Sequence, residues 1–285
     1  MFDHYIITRF NLRNPIWEAE NNGGLITDIW MEQRFELFET YCLPSLLEQS
    51  NKNFTWLLYF DTSTSNKFKD RIHRLTEKHL NIKVVFIDGM PLFKDNLKEL
   101  IAINSKNKKY LITTRIDNDD CIHVDFVKTI QEQFNNQKYQ VIDLLKGYSL
   151  QINPDIILGK KDHIFNPFIS LIEENKNPKT VWSNSHNVWK TEKNVTFVTS
   201  KRLWLVVIHE NNKTNNFNGY GKVDWKLIKN QFKISNKQSN AIEINAIPEK
   251  KWFKLSLKNR VIVTYKVYIK LFKRAIGLYK LKSKV

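Results

Sequence analysis

The stretch YLITTRIDNDDCI, residues 110–122, closes an apolar run with three carboxylates, Asp117, Asp119 and Asp120. In extended backbone, residues two apart face the same side, so Asp117 and Asp119 set two carboxylates together. Such a pair repels unless a proton or a cation bridges it. A hard divalent ion, Mn²⁺ or Mg²⁺, suits the pair, because it takes one or two carboxylates and completes its shell with water and phosphate oxygens. The same residues also suit a capped turn. Asn118 tolerates left-handed backbone, and Asp119 or Asp120 could cap a helix starting near Val124, with Asp120 the better placed. Spacing alone leaves both readings open.

The elements around the cluster supply context. HYIITRF (4–10), FTWLLYFD (54–61), IKVVFID (82–88) and KYLITTRID (109–117) read as strands. Between them lie helical patterns: DIWMEQRFELFETYCLPSLLEQS, in which Pro44 can open a second short helix, then residues 66–80 and 92–104. A further helix is expected over 124–134. Strands alternating with helices predict an α/β fold, an open and mainly parallel sheet flanked by helices. Beyond residue 138, YQVIDLLKGYSLQI, VTFVTS and RLWLVVIH read as strands and NPFISLIEEN as a helical turn. The segment 211–221 reads as a mobile loop. In open α/β sheets ligands bind beyond the carboxyl ends of the strands. Three predicted strands end there in polar groups: Arg9 and Asn11, then Asp61, then Asp117 to Asp120.

TTRIDNDD after an apolar strand resembles the Asp-x-Asp motif of GT-A glycosyltransferases. Together with TRFNLR, LPSLLEQSNKNFTWLLYFD and NPFISLIEE…TVWSNSH, it resembles the rhamnosyltransferase group of bacterial polysaccharide synthesis over residues 4–210. The resemblance implies a nucleotide-sugar donor and a glycan or lipid-linked acceptor. It places Asp61 at the donor's nucleobase, Arg9 and Asn11 near the nucleotide, and Asp117 at the ribose or a metal-bound water. It makes Asp119 a ligand of Mn²⁺ or Mg²⁺ and lets Arg115 brace the cluster or meet phosphate. His209, closing LWLVVIH, would join the metal. His186 would be structural or on the acceptor side. An inverting transfer needs a carboxylate base within reach of the acceptor hydroxyl. Glu173 is the first candidate, with Glu174 and Asp162 behind it. The Glu-Asp pair that related inverting enzymes carry at this position is missing. A nucleotidyltransferase would show a Gly-rich basic loop at the first strand, and TRFNLRNP has no glycine. A non-catalytic basic protein binding membrane or nucleic acid is the other alternative.

Charge divides the chain. The net charge is +16, yet residues 250–285 hold twelve Lys or Arg and no Asp or Glu, leaving +4 for residues 1–249. The expected organisation is therefore a glycosyltransferase-like domain over 1–249, with a nucleotide half (1–122) and an acceptor half (123–249), followed by a basic tail. In that tail Lys266, Lys270, Lys273 and Arg274 share one helical face, largely opposite Tyr268, Leu271, Phe272, Ile276 and Tyr279. Residues 258–285 are thus expected at an anionic membrane surface rather than on nucleic acid, the alternative being a helix packed on the catalytic domain with a solvated basic face. Two cysteines, Cys42 and Cys121, are too few for a disulfide framework. The N-terminus has no signal-peptide pattern, and no uncharged apolar run approaches the ~18 residues of a membrane span. The expected location is the cytoplasm, peripheral at the inner face of the cell membrane.

Overall fold

A computed structural model describes residues 1–15, 26–184, 186–210 and 216–281, with residues 186, 187, 280 and 281 as backbone only. Four parallel strands form one half of the main sheet: β1 (Phe2–Arg9), β2 (Thr55–Asp61), β3 (Ile82–Ile87) and β4 (Tyr110–Arg115). Three more complete it: β6 (Tyr139–Leu144), β9 (Ser170–Glu174) and β10 (Val195–Val198), in the order β10-β6-β9-β4-β1-β2-β3. β9 runs antiparallel to both of its neighbours. A second sheet has the order β5-β11-β7-β8, from Cys121–Ile122, Trp204–Ile208, Lys146–Gln151 and Ile157–Asp162. The open, mainly parallel α/β sheet expected from the sequence is present.

The helices divide between the two faces. On one face, α1 (Asp28–Leu37), α2 (Leu43–Leu47), α3 (Asn66–Thr76) and α5 (Phe126–Gln131) bury Phe35, Leu46, Phe68 and Phe126 against Ile6, Trp56 and Leu58. On the other, α4 (Phe93–Asn104) covers Tyr5, Ile7, Leu57 and Leu111. Between α1 and α2 the chain widens into a π-helical turn, Phe38–Cys42. Pro44 explains part of it. Having no N–H, it cannot donate to the carbonyl of Thr40 as a helix requires. That carbonyl accepts the N–H of Ser235 instead, at 2.8 Å.

Three expectations are corrected. NPFISLIEEN is not a helical turn, because residues 170–174 form β9 in the middle of the main sheet. Leu171 faces one core and Ile172 the other, so both faces of the strand are apolar and the alternation of a half-buried strand is lost. YQVIDLLKGYSLQI is two strands, β6 and β7, which part at Leu145 and enter different sheets. The basic segment is not set apart from the domain at residue 249 but packs on it. After α6 (Trp225–Ile228) and α7 (Asn236–Asn245), the helix α8 (Phe253–Ala275) lies along β8, followed by α9 (Leu278–Leu281). Space for it depends on a close approach. A Cβ at Gly159 would sit 2.6 Å from the amide nitrogen of Tyr220, so glycine lets the 219–221 segment lie on β8 beneath α8. Residues 211–215, part of the expected mobile loop, lie outside the described residues.

Candidate active site

The carboxyl ends of β1, β2 and β4 meet at one edge of the sheet, and the predicted polar residues gather there. Asn11 joins the first two ends: its amide donates to Thr64 Oγ1 at 2.9 Å and its carbonyl accepts the N–H of Asp61 at 3.2 Å. Asp61 is fully buried. It accepts from Ser63 Oγ (2.6 Å), Ser63 N (2.9 Å), Arg13 Nε (2.8 Å) and Arg13 N (3.1 Å). Burial pulls its pKa up, but those hydrogen bonds outweigh burial and hold it below the usual carboxylate value. Four donors on two oxygens match the acceptor capacity of a carboxylate. Asp61 therefore shapes the adjacent cavity, about 180 Å³ and lined by Asn11, Arg13, Met31, Ser63 and Phe68 among others, while Arg13 and Ser63 face it. Arg13 also pairs with Asp88. Nothing local in the sequence marks Arg13, whose partners stand 48 and 75 residues away.

The three carboxylates after β4 go three ways. Asp117, partly buried, is near enough to two guanidinium groups, Arg9 and Arg115, to act on them through its charge. Arg9 and Arg115 lie 4.1 and 4.2 Å from the centre of the Trp182 ring, and Arg9 donates to Met90 Sδ at 3.3 Å. Burial and the neighbouring Arg115 charge push Arg9 down to about 10, against an opposing pull from Asp117. Burial lowers Arg115 as well, again with Asp117 opposing. The Nε–H of each is buried without a partner. Two cations against one carboxylate leave net positive charge there, which favours a second anion.

Asp119 meets different partners. Its Oδ2 lies 2.6 Å from Arg34 Nη1 on α1 and 3.0 Å from His209 Nε2 just past β11. Burial raises its pKa, but the His209 hydrogen bond and the Arg34 charge prevail and hold it low. Arg34 also stacks on Trp30 at 5.1 Å. Arg34, too, carries no local signal, since its partner is 85 residues away. Asp119 and His209 converge as one carboxylate and one imidazole. Among the described residues no group of three or more His, Cys, Asp or Glu side chains gathers to hold a metal. The pair fits a Mn²⁺ or Mg²⁺ held by two protein ligands, with water and phosphate completing the shell.

Asp120 is not a helix cap. It is buried and accepts the N–H of Val207 at 3.0 Å, while α5 begins only at Phe126. Burial and the neighbouring Asp119 and Asp117 charges raise its pKa well above the usual value. Lys161, which burial lowers to about 8, opposes this. The Asp120–Val207 bond ties β11 to the carboxylate loop and so brings His209, two residues on, to Asp119.

The proposed bases lie elsewhere. Glu173 pairs in register with Leu111, near the start of β4, four residues or ~13 Å back from Arg115. Its oxygens accept the N–H groups of Lys179 and Thr180, both at 2.8 Å. Glu173 thus fastens the turn that leads into Val181, whose N–H donates to Thr113 Oγ1 at 2.8 Å, and into Trp182. Glu174 is one residue further from the cluster. Asp162 is engaged by Arg202 Nη1 and Tyr220 Oη, each at 2.8 Å. The side chain of His186 lies outside the described residues.

With this geometry, the sequence matches the family described as "putative rhamnosyl transferase" over residues 4–220. The chain belongs to that family. No curated protein matches it. Among solved structures, it is similar to S. aureus TarS residues 1–349, at 12% identity and a TM-score of 0.40, covering 72% of this chain and 60% of that one. The same TarS fragment in complex with UDP-GlcNAc gives 12% identity and a TM-score of 0.42, covering 85% and 70%. The chain thus spans about 60% of the first of these structures. Likenesses this distant carry no ligand or reaction across to the family member described above.

Proposed function

We propose that the protein transfers a sugar from a nucleoside-diphosphate donor to a hydroxyl of a glycan or lipid-linked acceptor, in bacterial surface-polysaccharide or glycolipid assembly at the inner face of the cell membrane. The observation that carries this reading is the pairing of two unlike devices at one sheet edge. Asp119 and His209 meet as a carboxylate and an imidazole that would seat a metal, and Arg9 with Arg115 is a buried cationic pair. A diphosphate is the ligand that uses both. The cavity bounded by Arg13 and Ser63 then takes the nucleoside, held in shape by Asp61.

In this reading Asp119 and His209 would hold Mn²⁺ or Mg²⁺, which when bound stabilises the charge growing on the departing diphosphate. Arg9 and Arg115 add fixed positive charge where that charge develops, inside a buried site where it counts for more than in water. Trp182 keeps the two guanidinium groups in place and excludes water around them. Arg34 holds the Asp119 carboxylate in position from the α1 side. We propose transfer with inversion, which requires a single base at the acceptor hydroxyl, supplied by a group other than Glu173, Glu174 or Asp162.

Thermal unfolding of the protein with UDP-, dTDP- and GDP-sugars, with and without Mn²⁺, tests the donor class. The reading predicts stabilisation by at least one of them that depends on Mn²⁺. No shift with any donor would refute it. The anomeric configuration of the product, read by NMR, decides inversion.

A further inference from the structure

The last long helix faces the opposite way from a basic, solvated amphipath. Its polar and basic side is turned toward the protein. Ser256 Oγ accepts the N–H of Gly221 at 2.8 Å, and Asn259 donates to the carbonyl of Gly219 at 3.0 Å. Lys270 donates to the carbonyl of Ile164 at 3.1 Å, and Arg274 to those of Glu192 and Lys193. Val263 is buried and Leu271 packs on the core beneath α4. Two of the four basic residues on the shared face therefore serve as clamps.

The outward side carries Leu257, Val261, Tyr265, Tyr268, Phe272 and Ile276, each more than half exposed. Their spacing of four, four, three, four and four keeps them on one stripe. From Leu257 to Ile276 the stripe runs roughly 28 Å along the helix. Exposed Lys254 and Lys258 stand at its beginning, Arg260 on one edge, and Lys266 and Lys273 on the other. Among the described residues no helix is long and apolar enough to cross a membrane.

We infer that α8 lies lengthwise in the interface of an anionic bilayer, with this stripe sunk among the acyl chains and the flanking Lys and Arg at the headgroups. This deepens the membrane-side reading above and does not depend on which sugar is transferred. Charge selects the occupant. From residue 250 onward the chain has no acidic side chain, so a second copy on the same stripe would set two basic helices together with nothing between them. Anionic headgroups neutralise the same charges, and long basic side chains can reach them while their stems follow the apolar surface. An interfacial helix buries its apolar face without needing a span. The clamps also make the anchor rigid. α8 is clamped to Gly219, Gly221, Ile164, Glu192 and Lys193, so the membrane plane is fixed relative to the domain.

The test is flotation of the full chain with vesicles of 3:1 phosphatidylcholine and phosphatidylglycerol, against phosphatidylcholine alone. The wild type is expected to float with the anionic vesicles and to stay largely behind with the neutral ones. A Tyr265→Ser/Tyr268→Ser/Phe272→Ser variant should lose at least about 100-fold in partitioning. Its far-ultraviolet spectrum should stay unchanged, because the three side chains face solvent. A Phe272→Trp variant should show a blue-shifted emission on adding anionic vesicles. Absence of wild-type flotation, equal flotation of the triple variant, or equal flotation with neutral vesicles would overturn the inference. So would a wild-type dimer in sedimentation velocity that the triple variant abolishes, which would give the stripe to a second copy. Donor-induced thermal shifts on the same samples separate this result from the catalytic reading: flotation without donor binding would refute the latter alone.

Discussion

Replacing Arg34 by Met removes one of the two partners that keep the Asp119 carboxylate charged inside the protein. The pair sits at 2.6 Å, with side chains 15% and 11% exposed. Breaking a buried ion pair from one side costs about 3–5 kcal/mol, because it leaves an uncompensated charge. Partial exposure and the remaining His209 contact place this case at the lower end, about 3 kcal/mol. At about 2 °C per kcal/mol for a chain of this size, the melting temperature should fall by ~6 °C. The pH dependence follows from the sign of the shift. The Asp119 pKa is held below its unfolded value, so its contribution is present above about pH 4 and is lost as pH falls through the lowered folded value. The deficit of Arg34→Met should therefore be largest at neutral pH and narrow as pH drops below about 4. Equilibrium urea unfolding at several pH values measures it. Asp119→Asn added to Arg34→Met should recover much of the loss, since it removes the stranded charge. A single variant within ~0.5 kcal/mol of wild type at pH 7, or a double variant destabilised by the full sum, would refute the reasoning.

Other substitutions probe the remaining parts. Glu173→Gln sets an amide against one of the two N–H groups it now accepts. It should cost about 1–3 kcal/mol in urea unfolding without removing transfer, and loss of transfer at full stability would return Glu173 to the chemistry. Trp182→Ala should weaken donor binding by calorimetry as well as stability, because Arg9 and Arg115 lose their shared platform; unchanged donor affinity would count against the cationic pair. Asp143 is buried and raised to about 7, with Phe165 N and Asn166 as its donors at 2.6 and 2.7 Å. Its raised value means the folded state keeps a proton that the unfolded chain loses, so this group's contribution falls as pH rises from about 4 to about 7. Asp143→Asn should remove that component from the stability–pH curve.

The parallel half of the sheet was legible because its strands are short apolar runs that alternate with helical segments. The gathering of Asn11, Asp61 and Asp117–Asp120 followed from topology alone. β9 was not legible, because a strand covered on both faces has consecutive apolar residues, which a helix shows too. That error carried Glu173 to the wrong end of the sheet. Arg13 and Arg34 were hidden for a different reason. Each looks like an ordinary helix or loop cation until a carboxylate far along the chain is folded against it. α8 shows a third limit. Helical periodicity separates the two faces but does not say which one meets the protein, and here backbone carbonyls of Ile164, Glu192 and Lys193 took the basic side.

The most direct test of the account is calorimetric titration of Mn²⁺ and a nucleoside diphosphate into wild type and Asp119→Ala. The account predicts that the wild type binds the diphosphate with Mn²⁺ and far more weakly without it, and that Asp119→Ala loses the Mn²⁺-dependent part while Glu173→Gln keeps it. Equal Mn²⁺-dependent binding by Asp119→Ala would contradict the metal seat at Asp119 and His209, and with it the central claim.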